Sequence, residues 1–279
     1  MEDSWWKLTF KSETPDDNSD LLFDLGVQAV EKNACGTFNC YFEGKNHALN
    51  ELENKLSELN VLLVKKEIIP PANWLKNCEE LWQKIDFENF SVVPVLDEDN
   101  LPLLSENCPD IFILPGEGFG TGHHSSTKLA IRLIKELDKF CPPPQNALDV
   151  GCGSGILSLT INKLYDSKVM AIDTDERALG NAEINLKLNR TANKVVLSNL
   201  PISELKDKYD LIAANIYAEV LIEMKPDFER LLINNGCLLI SGIMSSLADD
   251  VKEAYYEPMW TLLKESQESG WHALLYKYK

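Results

Sequence analysis

Leu148-Asp149-Val150-Gly151-Cys152-Gly153-Ser154-Gly155 is an apolar run that breaks into three glycines spaced two apart and restarts at Ile156-Leu157-Ser158-Leu159. The pattern predicts a strand, a tight loop and a helix. A chain that turns straight from strand to helix visits positive φ, and a ligand lying on the backbone leaves no room for Cβ, so both demands select glycine. Such a loop is a seat for a nucleotide-like ligand.

Outward from this loop, apolar helical and strand patterns alternate. Leu129, Leu133, Leu137 and Phe140 share one helical face over 126–140, and Pro142-Pro143-Pro144 stops that helix before a strand over 147–150. Beyond the loop the spacing predicts a helix from 156, a strand over 168–173, a helix over 175–189, and strands over 194–197 and 209–214. A helix over 218–232, a strand over 237–242, a helix over 247–255 and two strands, 260–265 and 271–276, close the chain. This alternation predicts an α/β domain with a doubly wound, mainly parallel, seven-stranded sheet, ending in an antiparallel hairpin around Ser269-Gly270.

Upstream, Trp5 to Phe10 alternates as a strand. A helix capped by Asn18 or Ser19 gathers Leu21, Leu22, Leu25, Val27 and Val30; a strand over 37–42, a helix with Leu49, Leu52, Leu56 and Leu59, and a strand over 61–64 follow. Pro70-Pro71 ends that unit, and a further helix is expected over 73–85. The expected organisation is a smaller N-terminal α+β domain, ferredoxin-like, over 1–88, a linker over 89–115, and the main domain over 116–279.

Net charge is −17. Residues 1–115 hold 22 acids and 9 bases, so the front of the chain carries most of it. Such a surface repels nucleic-acid phosphate and attracts a basic protein. The 7 cysteines are scattered without a C-x-x-C pair, which suggests neither a disulfide framework nor a zinc or other metal site. The start Met1-Glu2-Asp3-Ser4 is acidic where a signal peptide is basic, and no apolar run approaches the roughly 18 residues of a membrane span. A soluble, reduced, cytoplasmic protein is expected.

Ligands of open α/β sheets bind at the carboxyl ends of the strands. Four segments should meet there. The G-x-G-x-G loop lacks the final glycine of the dinucleotide G-x-G-x-x-G, because Ile156 stands in its place, which disfavours a nicotinamide cofactor. Asp173 ends the next strand, where a carboxylate accepts from both hydroxyls of a ribose, while Asp175 is free to cap the following helix. Asn215 ends the strand over 209–214, where its side-chain carbonyl can accept from an amine and aim the nitrogen lone pair. The stretch 115–127, with four glycines and small polar or histidine side chains before a helix, reads as a lid.

Gly118-Phe119-Gly120-Thr121-Gly122-His123-His124-Ser125-Ser126-Thr127, Asp149 to Leu157, Ala214-Asn215-Ile216-Tyr217-Ala218-Glu219 and Ser241-Gly242-Ile243 together resemble the ribosomal protein L11 methyltransferase family (PrmA). The likeness runs in order over about 110–279, including Trp271 at the start of the last strand, and departs at Ser125 and Ser126, where the family favours proline and threonine. It implies S-adenosylmethionine as methyl donor, and lysine side chains and the α-amino terminus of a basic ribosomal protein as acceptors. By position, Thr127, Gly151, Asp173 and Asn215 match the family's cofactor-contacting residues. Gly153 and Gly155 join them on geometric grounds, and Asn199 is placed to meet an adenine. Thr121 is expected near the reacting methyl, Asn215 as the residue that orients the amine, and His124 as the lid histidine. The expected enzyme is a monomer without direct nucleic-acid binding. Alternatives with the same core are a methyltransferase of another protein lysine or small amine, and a non-catalytic cofactor-binding assembly factor. A base-flipping nucleic-acid enzyme is disfavoured because Ile216, not Pro-Pro-aromatic, follows Asn215.

Overall fold

Trp6, Leu8 and Phe10 alternate with Lys7 and Thr9, so one face of the first strand is buried while the other carries the polar side chains. The computed structural model describes residues 4–11, 27, 29–32, 37–44, 62–69, 83–95, 108–116, 120–256 and 258–279. The chain divides into two units, Met1–Gln83 and Lys84–Lys279.

In the first unit, strands β1 (Ser4–Lys11), β2 (Ala29–Lys32), β3 (Thr37–Gly44) and β4 (Leu62–Ile69) form an antiparallel sheet in the order β2-β3-β1-β4, the strand order of a ferredoxin-like sheet. Leu8 faces Cys40 and Phe10 faces Phe38, while Thr9 Oγ1 donates to Asn39 Oδ1 at 2.8 Å across the other face. Val30, assigned by spacing to a helix, instead lies in β2 opposite Cys40. Pairing along the edge of β3 overrides the local apolar spacing there. The helices expected over 47–59 and most of those over 18–30 and 73–85 fall outside the described residues.

In the second unit, part of the stretch expected to be a linker is structured. β5 (Ile85–Asp86), β6 (Ser91–Pro94) and β7 (Ile111–Ile113) form a small sheet, and Phe87, Phe90, Val92, Ile111 and Ile113 belong to the main core. The large sheet has the order β10-β9-β8-β11-β12-β14-β13, from β8 (Asn146–Val150), β9 (Lys168–Ile172), β10 (Val195–Ser198), β11 (Tyr209–Asn215), β12 (Leu232–Met244), β13 (Trp260–Glu268) and β14 (Trp271–Tyr278). In this sheet β14 alone runs opposite to the other six strands, inserted between β12 and β13. The doubly wound seven-stranded sheet with a closing hairpin is as the sequence predicts.

Both faces of this sheet are covered, so its central strands read as unbroken apolar runs. Along β11, Leu211 and Ala213 enter one core cluster, Ile212 and Ala214 the other. The helix expected over 218–232 is two, Ala218–Glu223 and Lys225–Leu231, with Pro226 in the first turn of the second. Proline lacks the N–H that a continuous helix needs, but suits a helix start. Among the described residues, no helix is long and apolar enough to cross a membrane.

The expectation of unpaired cysteines is corrected: Cys141 and Cys237 are joined by a disulfide across a separation of 96 residues. Both are buried, one following the short helical turn Leu137–Lys139 and the other in β12. A pairing over that distance has no local spacing to announce it.

Asp149, on β8, is fully buried, and its Oδ2 accepts from Ser158 N at 2.9 Å and Ser158 Oγ at 2.6 Å in the helix Ile156–Tyr165. Burial is the largest influence on its carboxyl and raises it to about 6, against the lowering effect of Ser158. The folded chain therefore keeps this proton at pH values where the unfolded chain, near ~3.9, has lost it. The associated stability is fully present below about pH 4 and is lost as pH rises through about 6.

Two predictions follow from this packing. Phe228, fully buried in the second core cluster, supports the helix Lys225–Leu231, so Phe228→Ala should cost about 3–5 kcal/mol in urea unfolding. The stability of the native chain relative to Asp149→Asn should fall by up to about 3 kcal/mol between pH 4 and pH 6 and then level off. Parallel stability curves for the two proteins would show that Asp149 does not titrate there.

Candidate active site at the carboxyl edge of the sheet

Gly151, Gly153 and Gly155 have φ of 68°, 54° and 80°, the left-handed region that side chains avoid. The loop they form is fastened from both sides. Gly151 N and Cys152 N donate to Ile172 O at the end of β9, and Gly155 N donates to Cys152 O at 2.8 Å. Gly155 is the N-cap of the helix Ile156–Tyr165 and offers no side-chain cap.

Asp173 follows β9. Its Oδ2 accepts from Gly153 N at 2.9 Å, and its Oδ1 from Asp175 N at 3.0 Å. Asp175, not Asp173, caps the helix Glu176–Leu188 by accepting from Arg177 N. The carboxylate of Asp173 is therefore bound to the glycine loop itself, and each oxygen retains capacity for a further donor. Asn199 is exposed just past β10, beyond Ser198, whose carbonyl accepts from Asp173 N at 3.2 Å.

Asn215 is the last residue of β11. Its Nδ2 donates to Thr127 Oγ1 at 3.2 Å, and its Oδ1 is buried without a hydrogen-bond partner. Thr127 is fully buried in the first turn of the helix Ser125–Lys135. Ile216 follows, its N donating to Ser241 O at 3.2 Å, and a Cβ on Gly151 would come within 2.5 Å of Ile216 Cγ2. The glycine loop and the end of β11 are thus in direct contact.

The glycine-rich stretch ahead of the helix reaches the same place. Gly120 O accepts from Ser154 Oγ at 2.6 Å, and Thr121 is half-buried beside it. His124 caps the helix: its Nδ1 lies 2.7 Å from Ser126 Oγ and accepts from Ser126 N, and its ring meets Trp271 edge-on at 4.6 Å. Burial, with a smaller contribution from Lys128, lowers its pKa to about 4, so the ring is neutral at pH 7. Its geometry is that of a cap and packing residue.

Thr127 with Asn215, and Gly153 with Asp173, are therefore brought together as pairs, with Gly151 and Gly155 in the same loop. Ser154 and Ser241 were given no role by the sequence. Ser154 ties the loop to Gly120, and Ser241 Oγ donates to Ser126 O at 2.9 Å, tying the end of β12 to the helix cap. A small hydroxyl at the end of a buried apolar strand is the signal that points to Ser241.

The arrangement fits a ligand with a ribose at Asp173, a backbone-hugging portion on the glycines and an amine donor at Asn215 Oδ1. A curated ribosomal protein L11 methyltransferase from Thermotoga petrophila is 33% identical, the match covering 92% of this chain and 98% of that protein. One from Campylobacter lari is 30% identical over 99% of each. A crystal structure of ribosomal protein L11 methylase from Lactobacillus delbrueckii subsp. bulgaricus superposes with a TM-score of 0.61 at 28% identity, covering 70% of this chain and 98% of that one. The family model for ribosomal protein L11 methyltransferase (PrmA) matches residues 8–279, so the chain, with its glycine loop, Asp173 and Asn215 inside that match, belongs to the PrmA family.

Proposed function

We propose that this chain transfers methyl groups from S-adenosylmethionine to lysine side chains and the α-amino terminus of ribosomal protein L11. The observation that carries the reading is Asn215, an amide whose nitrogen is anchored on Thr127 while its buried oxygen has no partner. A buried acceptor left unmatched is costly, and an incoming N–H is what would match it.

Gly151, Gly153, Gly155, Thr127 and Asp173 would hold the cofactor, the carboxylate of Asp173 taking the ribose hydroxyls. When bound, S-adenosylmethionine supplies an electrophilic methyl group on a sulfonium. The acceptor must reach it as a neutral amine. A lysine with pKa near ~10.4 is neutral about once in ~2,500 at pH 7, a cost of roughly 4.6 kcal/mol. Exclusion of water by the stretch 115–127, acting as a lid, reduces that cost, because desolvation disfavours the ammonium. Asn215 Oδ1 would accept one N–H and aim the lone pair, and Thr121, half-buried beside Gly120, is assigned to the vicinity of the methyl group. His124 is committed to capping, so it is not the base. Proximity and alignment supply the rate.

The N-terminal unit, Met1–Gln83, is assigned to substrate recognition, while the strands within 85–113 belong to the methyltransferase unit. The acidic excess of residues 1–115 supports this, because a ribosomal protein is basic and the same charge repels nucleic acid. The enzyme is assigned to the cytoplasm, where ribosomal proteins are made, and as a monomer.

Labelled S-adenosylmethionine incubated with this protein and ribosomal proteins from a strain lacking the enzyme should put label into L11; label elsewhere only would overturn the substrate assignment. Asn215→Ala should fold normally and lower kcat/KM about a hundredfold. Unchanged turnover would remove Asn215 from the site. Asp173→Asn should weaken binding of S-adenosylhomocysteine at least about tenfold in calorimetry, through loss of charge-assisted hydrogen bonds.

A further inference from the structure

Asn181, Asn185 and Asn189 recur every four residues along the helix Glu176–Leu188 and its C-cap, so they share one face. All three are buried. That face meets extended backbone, β7 and the residue that follows it. Phe112 N donates to Asn189 Oδ1 at 2.9 Å, and Asn189 Nδ2 returns a bond to Phe112 O at 2.6 Å. Leu114 N donates to Asn185 Oδ1 at 2.7 Å, and Asn181 Nδ2 donates to Leu114 O at 3.0 Å. The amides give this backbone the partners that a neighbouring strand would give it.

Asn185 does more than its neighbours. Its Nδ2 also donates to Ser154 O in the glycine loop, at 3.0 Å. The peptide from Ser154 to Gly155 is then gripped at both ends, since Gly155 N donates to Cys152 O. Ser154 Oγ in turn donates to Gly120 O. The chain is thus tied to the glycine loop on either side of 117–119, through Leu114 by way of Asn185 and through Gly120 directly.

We propose that Asn185 and Ser154 are positioning residues that preset the glycine loop, and the lid base against it, in the shape the cofactor needs. Glycine-rich backbone loses the most conformational freedom when it is ordered. A loop ordered in the free protein spares binding that loss, which is the benefit of preorganisation. Neither side chain needs to touch the cofactor. The inference rests on the reading of the glycine loop as the seat of S-adenosylmethionine.

The test is titration calorimetry with S-adenosylhomocysteine on the full chain, beside steady-state kinetics in S-adenosylmethionine. Asn189→Ala is the control, since it removes bonds to the same backbone but none to the glycine loop. Asn185→Ala should weaken binding about tenfold, the scale of a buried polar group left unsatisfied, and raise KM for the methyl donor with kcat within about twofold. Ser154→Ala should weaken binding about threefold, and Asn189→Ala should change it less than twofold while lowering Tm. Equal weakening by Asn185→Ala and Asn189→Ala would reduce the amides to general scaffolding and overturn the proposal, as would native affinity in Asn185→Ala. If Asn185→Ala does not fold, Ser154→Ala decides, and native affinity and KM there overturn the proposal. A native chain that binds no S-adenosylhomocysteine would sink the cofactor reading itself, a result distinct from native binding that the variants leave unchanged.

Discussion

Ile216 is wedged between two glycines from the strands on either side of it. A Cβ on Gly151, after β8, would lie 2.5 Å from Ile216 Cγ2, and a Cβ on Gly242, in β12, would lie 2.4 Å from Ile216 O. β8 and β12 flank β11, and the residue that leaves β11 fits between them where two positions carry no side chain. Everything at the site is referred to that crowding. It presses the glycine loop against the end of β11, and it fixes the backbone that presents Asn215 one residue earlier. A larger residue at 242 would have to displace the backbone of Ile216, and one at 151 its side chain, in each case at a positive φ that side chains avoid.

The second organising contact set runs from the helix Ser125–Lys135 to the ends of β11 and β12. Thr127 Oγ1 receives Asn215 Nδ2, and Ser126 O receives Ser241 Oγ. His124 closes the helix start as its cap and packs on Trp271 at the opening of β14. The antiparallel hairpin therefore supports the site through the ring that orients the cap and through His272 O, which accepts from Ser241 Oγ at 3.5 Å. A neutral histidine suits this place, because a buried imidazolium would need a counter-charge. Lys128 nearby disfavours the charged form further.

Much of this is legible in the sequence where the chemistry is local. Glycines at alternate positions after an apolar strand announce the positive φ values. An acidic residue at the end of the next strand, with a second one two positions on to cap the helix, announces Asp173. Asn215 stands out as an amide closing an apolar run. What depends on distant partners is not legible. Val30 has helical spacing but pairs with Cys40 across a strand edge, and Cys141 finds Cys237 across 96 residues. The amides at 181, 185 and 189 have a visible four-residue period, yet that period is equally the solvent face of an ordinary helix. Only the packing of 112–114 against them turns three polar side chains into a backbone clamp.

On the proposed reaction, the choice of an amide at 215 has its own physical reason. A carboxylate in that position would also accept from the incoming amine and would orient it as well. It would do so by favouring the ammonium, since an opposite charge within about 4–6 Å stabilises the charged form. That would deepen the deficit of neutral amine, already roughly 4.6 kcal/mol at pH 7, at the point where the lone pair must be free. The carbonyl of an amide offers the same acceptor geometry without a net charge. In the structure the Nδ2 of Asn215 is spent on Thr127 Oγ1, and its buried Oδ1 is left without a partner. The negative charge that the site does hold is on Asp173, at the other end of the glycine loop. There a ribose can take its hydrogen bonds without any proton needing to leave.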